Sequence, residues 1–432
     1  MMTISGANTQ RTLIVLVVVL GLSVWFSATA VVSSLRLDWG IGSTAAVWLS
    51  ATVQIGFAAG AIISAAHHLA DRIEPQRLVA VSAAGAAACT AALALYVDDL
   101  AAAVPIRFCT GMFLAGVYPV GMKLIASWSQ SSSRGMTFGL LVGALALGSA
   151  LPQLIGGLGS LPWRTVLLAA SALTAAAAVI AGTLVRPGPH VPATRSVPGV
   201  SGWHPRQAIA LFAQRGPRLV NLGYLGHMWE LYALWVWLPV FVAVGRTERA
   251  GLAAMPIGVL AFVTIGVAGA VGCLLGGWAA DRFGRPQAAM VALVISGVCC
   301  LASPAFLGAP TVIFVVFLMI WGAAAVADSG VFSVALSDTA DPRFVGTALT
   351  AQTATGFLLT VVTIQLVPLV ADLIGWQYAF LLLAPGPLLG AIAMSRLRTM
   401  SRLPQLEEDH DQLRTTEPTA RRSDRGTLTH RR

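Results

Sequence analysis

Two stretches decide how this chain is built: HHLADRIEPQR at His67–Arg77 and GGWAADRFGRPQ at Gly276–Gln287. Each sets an Asp-Arg pair, Asp71-Arg72 or Asp281-Arg282, at the end of a long apolar run, and the two pairs lie 210 residues apart. A second pair of anchors repeats at almost the same offset: Arg134 and Arg343 each precede an apolar run and are 209 residues apart. Two anchors at one spacing mark an internal duplication.

Working outward from these loops, the composition explains the runs. Hydrophobic residues make up 56% of the chain and charged ones 10%, so most of its solvent is lipid. A bilayer core about 30 Å thick needs roughly 20 apolar residues per helical span. Runs of that length lie near residues 11–34, 44–66, 79–97, 101–126, 136–157 and 163–185, and again near 219–244, 254–279, 287–307, 311–335, 346–370 and 376–395. They are too long and too continuous for barrel strands, and a helix satisfies its own backbone polar groups in lipid. The expected fold is therefore an all-α integral membrane protein with twelve transmembrane helices in two pseudo-symmetric six-helix bundles. The bundles cover residues 11–185 and 219–395. A Pro- and Gly-rich linker occupies 186–218, and a charged tail at 396–432, poor in apolar residues, is expected to be disordered.

Net charge is +9, but the placement of the arginines argues for membrane orientation rather than for nucleic acid. Loops on one side hold Arg72, Arg77, Arg134, Arg186, Arg195, Arg206, Arg215, Arg218, Arg282, Arg285 and Arg343, whereas the opposite loops hold only Arg36, Arg164, Arg246 and Arg249. The arginine-rich side, which carries both chain ends, is expected to face the cytoplasm across the cell membrane. The five cysteines show no metal-ligand spacing, and no phosphate loop or nucleophilic triad is present. Neither an enzyme, a metal nor a cofactor is expected.

The second Asp-Arg loop resembles the signature of the major facilitator superfamily, G-x-x-x-D-R-x-G-R-R, matching at Gly277, Asp281, Arg282, Gly284 and Arg285, with Pro286 in the last place. The first copy keeps Asp71 and Arg72 but has His67 and Glu74 where glycines are usual. The resemblance spans residues 11–395 and implies a secondary transporter that alternates access between two bundles. It also implies a gate, in which Asp281 meets the start of the fifth span near Arg134, and Asp71 the start of the eleventh near Arg343. The alternative is that these charges only anchor loop ends.

Ionisable residues inside the spans are the candidates for coupling or substrate contact, because a buried charge in lipid is costly. Glu230 lies about eleven residues into the seventh span, roughly 16 Å deep at 1.5 Å per residue, with His227 and Tyr224 at preceding three-residue steps. It is read either as a proton carrier or as the buried partner of a cation such as Arg107. Arg107, followed by Gly111 and Gly116, resembles the family's fourth-helix motif and could equally be structural. Asp328 is deep in the tenth span. Lys123 is the single lysine of the chain and either contacts substrate or snorkels from the end of the fourth span. Gln352, in the eleventh span, is an uncharged group able to line a cavity. The expected midplane site combines Arg107, Glu230, His227 and Asp328.

The fifth span carries Gly148, Pro152, Gly156 and Gly157 without the Gly-Pro adjacency of the family's antiporters. The expected function is proton-coupled uptake of a small organic or inorganic anion by a monomer. The alternatives are a proton-driven exporter of amphipathic compounds and a non-transporting sensor of the same fold.

Overall fold

A computed structural model describes residues 6–129, 134–159, 161–189, 212–247, 255–341 and 344–416. Among them, eleven helices are long and apolar enough to cross a membrane. The remaining expected span, the first, is broken. It consists of Ala7–Gly21, a non-helical turn at residues 22–26, and the short pieces Ser27–Ala30 and Val32–Trp39.

Local chemistry accounts for most helix ends. Asp99 caps the fourth span by accepting from Ala102 N at 2.8 Å, and Pro75 opens the third span at a position where its missing N–H costs nothing. Gly284 separates the eighth span from the ninth with φ +92°, a conformation that carries little penalty only in glycine. Glu74 takes the equivalent place after the second span with φ −53°. The first loop has a different geometry: the second span stops at Ala66, His68 adopts φ +53°, and a separate turn Leu69–Arg72 carries the Asp-Arg pair.

The last helix, Pro385–Thr416, runs on from the twelfth span into the stretch from 396. Residues 396–416 are rich in Arg, Leu, Glu and Gln, all good helix formers, and they extend a helix that already has its nucleus inside the membrane.

The two halves meet along two equivalent seams, the fifth span (Arg134–Gly157) against the eighth (Ile257–Phe283), and the second (Trp48–Ala66) against the eleventh (Val345–Ile374). The fifth–eighth seam is close enough to require glycine. A Cβ on Gly277 would lie 2.5 Å from the Gly135 carbonyl oxygen, and one on Gly139 would lie 2.4 Å from that of Cys273. Small residues of this kind let two helix backbones touch and give lipid-embedded helices their packing energy. At the start of the eleventh span, Gly346 has nothing within 4 Å of such a position among the described residues. Among the described residues, the two seams thus differ at the membrane face that carries the Asp-Arg loops, called the loop face below.

Candidate functional site

At the loop face, the Asp281 carboxylate reaches across the seam to the first turn of the fifth span. It accepts from Gly135 N at 3.0 Å and from Met136 N at 2.9 Å. These are donors a helix cannot satisfy internally, so the other half of the chain supplies the cap. Arg285, in the same loop, pairs with Asp338 at the end of the tenth span. Arg72 and Arg282 are exposed and make no ion pair among the described residues. The side chains of Asp71 and Arg134, and all of Arg343, lie outside the described set, so the expected first latch does too.

Deeper in the molecule, the seventh span (Arg215–Thr247) presents Asn221, Tyr224 and His227 at three-residue steps along one side. Asp328 breaks the tenth span, sitting between Thr311–Ala327 and Ser329–Thr339. The break brings His227 Nδ1 to 2.8 Å from Asp328 Oδ1 and His227 Nε2 to 2.9 Å from Ser329 Oγ. Both residues are buried, at 3% and 1% exposure. The approach to Asp328 is at ion-pair distance but off the hydrogen-bonding direction, and neither carboxylate oxygen accepts a hydrogen bond among the described residues. Gly330, two residues on, packs against the fifth-span backbone at Phe138 and Gly139, which places this break at the seam between halves. Gln352 donates to Asn221 Oδ1 at 3.1 Å, bridging the eleventh and seventh spans one turn nearer the loop face than Tyr224.

Only His227 and Asp328 of the expected four-residue site come together. Glu230 is turned into the C-terminal bundle, where its Oε1 accepts from Ser296 Oγ at 2.6 Å, Trp321 Nε1 at 2.7 Å and Cys300 Sγ at 3.2 Å. It ties the seventh, ninth and tenth spans and has no ion-pair partner among the described residues. Three residues rotate a helix by about 300°, so Glu230 projects about 60° away from His227, enough to send the two side chains to different neighbours.

Arg107 is fully buried in the N-terminal bundle and serves the broken first span. Its guanidinium donates to Val24 O at 3.1 Å, Trp25 O at 2.5 Å and Leu49 O at 3.1 Å. The turn at residues 22–26 leaves carbonyls that no helix bond satisfies, and in lipid a multidentate donor is the remedy. Lys123 also stands apart from the central group: Nζ donates to Ala70 O at 2.7 Å, beside the first Asp-Arg loop.

The centre of the molecule holds an aromatic partition shared by both halves. Trp25 of the first span packs tilted 4.9 Å from Phe57 of the second and stacks 6.0 Å from Tyr232 of the seventh. Phe357 of the eleventh closes it at 4.4 Å from Phe57 and 5.1 Å from Tyr232. On the spans that build it, two buried polar groups have no hydrogen-bond partner among the described residues: the Trp25 indole N–H and both amide atoms of Gln54, a residue with no exposed surface. Buried polar groups without partners call for an explanation, and in a cavity-forming region a bound solute is one.

The sequence profile of the Major Facilitator Superfamily matches residues 13–272 and 258–426. The chain belongs to the Major Facilitator Superfamily. It is therefore a multi-pass membrane protein of a transporter family. Among curated proteins it is similar to a gallate transporter of Pseudomonas putida, with 25% identity over 297 residues. That match covers 62% of this chain and 64% of the relative, so it spans less than two thirds of the relative's length. Among solved structures, a mutant form of the nucleoside transporter NupG superposes with a TM-score of 0.65 at 15% identity. The superposition covers 90% of this chain and 99% of that one, and shows a shared fold.

Within this superfamily member, the partition, the Asn221–Gln352 bridge and Gln54 escaped the reading of the sequence. Asn221 had a signal: it continues the stripe of Tyr224 and His227 by one more three-residue step. Trp25, Phe57 and Phe357 had none, because single aromatics inside apolar runs look like any lipid-facing or core residue.

Proposed function

We propose that the protein imports a small organic anion together with protons across the cytoplasmic membrane, as a monomer with both chain ends in the cytoplasm. The observation that carries this reading is the buried His227–Asp328 pair, set at a helix break on the seam between halves and short of hydrogen bonds. A carboxylate and an imidazole in contact there can take up and release a proton as the seam opens to one side or the other, with Ser329 holding the ring.

An organic rather than an inorganic anion is favoured by the aromatic partition, which offers flat apolar surface and the orphaned donors of Trp25 and Gln54. The gallate transporter, though distant, points the same way, to an aromatic acid. The orientation rests on the arginine bias of the loops. In the proposed cycle, the Asp281 cap on the fifth span holds the cytoplasmic side shut, and its release lets the halves rock about the partition.

Uptake into proteoliposomes tests the whole proposal, with gallate, benzoate and phosphate as probes and with or without an inward proton gradient. Accumulation of an aromatic acid driven by the gradient is the expected result. Gradient-independent flux, or accumulation of phosphate alone, would overturn it.

A further inference from the structure

A cavity of about 440 Å³ lies beyond the partition, toward the membrane face opposite the Asp-Arg loops. It is bounded by the first span (Thr29, Ser33, Arg36), the start of the second (Val47, Ser50), the end of the fifth (Gln153), and the seventh and eighth (Val236, Trp237, Ile257). Both halves of the chain contribute walls. Among the described residues, Arg36 supplies the one charge in this lining, and it makes no ion pair. Gln153 is 5% exposed, and its side-chain amide has no hydrogen-bond partner among the described residues. Thr29 and Ser50 bond each other at 2.6 Å.

These features form a gradient of chemistry with depth. Ser33 and Arg36 are exposed at the mouth, the walls of Val47, Val236 and Trp237 are apolar, and the unpartnered Gln153 sits against them. Below, Thr29 leads one turn down the first span to Trp25 and Phe26 of the partition, and Ser50 leads one turn down the second to the orphaned Gln54. Arg36 is ten residues above Phe26 along the first span. The volume is that of a small-molecule pocket.

We infer that this cavity is a recognition subsite, distinct from the partition, where a small monocarboxylate with a flat apolar body first binds. Arg36 holds the carboxylate, the Val236–Trp237 wall takes the body, and Gln153 bonds a polar substituent. A neutral solute would find the same walls but leave Arg36 unmatched, so the subsite selects for charge before the halves rock. This inference rests on the proposed anion transport and on the proposed orientation.

The test measures occupancy directly. Ser33→Cys, at the mouth, is labelled in the full-length protein in proteoliposomes with a membrane-impermeant maleimide, and modification is read on the peptide containing residue 33. Benzoate and gallate are expected to protect that cysteine. Arg36→Gln should weaken protection about tenfold, the loss of one charge-assisted contact, while Arg36→Lys keeps most of it. Benzyl alcohol, which lacks the charge, should protect poorly in every variant. Equal protection in Arg36→Gln, or none in the parent protein, overturns the subsite. Uptake measured in parallel separates the two readings. Protection without uptake leaves the subsite standing and sinks the transport proposal, whereas uptake without protection sinks the subsite alone. Because Arg36 is exposed, the Arg36→Gln thermal midpoint should match the parent, which excludes misfolding as the cause.

Discussion

Asp281 Oδ1 accepts the backbone N–H of Gly135 at 3.0 Å, so the first turn of one half of the protein is capped by a carboxylate from the other. The bond exists only while the fifth and eighth spans are in register at the loop face. Opening that face must break it and leave the donors of Gly135 and Met136 to water.

Asp281→Asn should therefore destabilise the closed loop face. Asp281 is exposed, so solvent screening trims the charge-assisted bonds to on the order of 1 kcal/mol in total, about a fivefold shift in the open fraction. A cysteine placed at Phe138, on the seam, should react faster with a thiol reagent applied from the loop face. An unchanged rate would reduce Asp281 to a loop anchor.

The inequality of the seams gives a paired expectation. Gly277→Val should obstruct closure, because even a Cβ would meet the Gly135 oxygen at 2.5 Å. Gly346→Ala, with nothing within 4 Å of its new methyl among the described residues, should leave accessibility and uptake near parental values. If the two variants behaved alike in the Phe138 labelling assay, backbone contact along the fifth–eighth seam would not be what limits closure.

Glu230 and the His227–Asp328 pair should separate in function. Asp328→Asn and His227→Gln are expected to abolish gradient-driven accumulation while sparing substrate exchange, which needs no net proton movement. Glu230→Gln should keep the dependence on the gradient and instead lower thermal stability by about 1–3 kcal/mol, as Trp321 and Ser296 lose their carboxyl acceptor. Accumulation and exchange assays in proteoliposomes, with melting curves in detergent, distinguish these outcomes. A loss of coupling confined to Glu230→Gln would reverse the assignment.

Arg107→Leu should be among the most destabilising single changes, because the carbonyls of Val24, Trp25 and Leu49 would lose the hydrogen bonds that the guanidinium supplies inside lipid. A cost of 3 kcal/mol or more is about what such a loss implies. Arg107→Lys should recover only part of it, since an ammonium cannot span the three acceptors as the fork does. A melting temperature unaffected by Arg107→Leu would move this residue from support of the first span to a direct role in transport.

The amino-acid sequence by itself determined the membrane class, the number of spans, the duplication and the Asp281 loop that reaches the start of the fifth span. Those features depend on local or periodic properties: twenty-residue apolar runs, a 210-residue repeat, and an Asp-Arg pair at a helix end. It also carried the residues of the buried pair, since His227 and Asp328 are conspicuous as ionisable groups in lipid.

What it could not determine was which of the buried polar residues face one another. The direction of a side chain on a helix changes by about 100° per residue, and a small rotation of the whole helix exchanges one set of neighbours for another. Packing sent Glu230 into its own bundle, Arg107 to the broken first span and Lys123 to the end of the second, while leaving His227 against Asp328. The aromatic partition and the cavity beyond it are likewise products of assembly. Their walls come from spans far apart in the chain, and they take form only when the two halves are brought together.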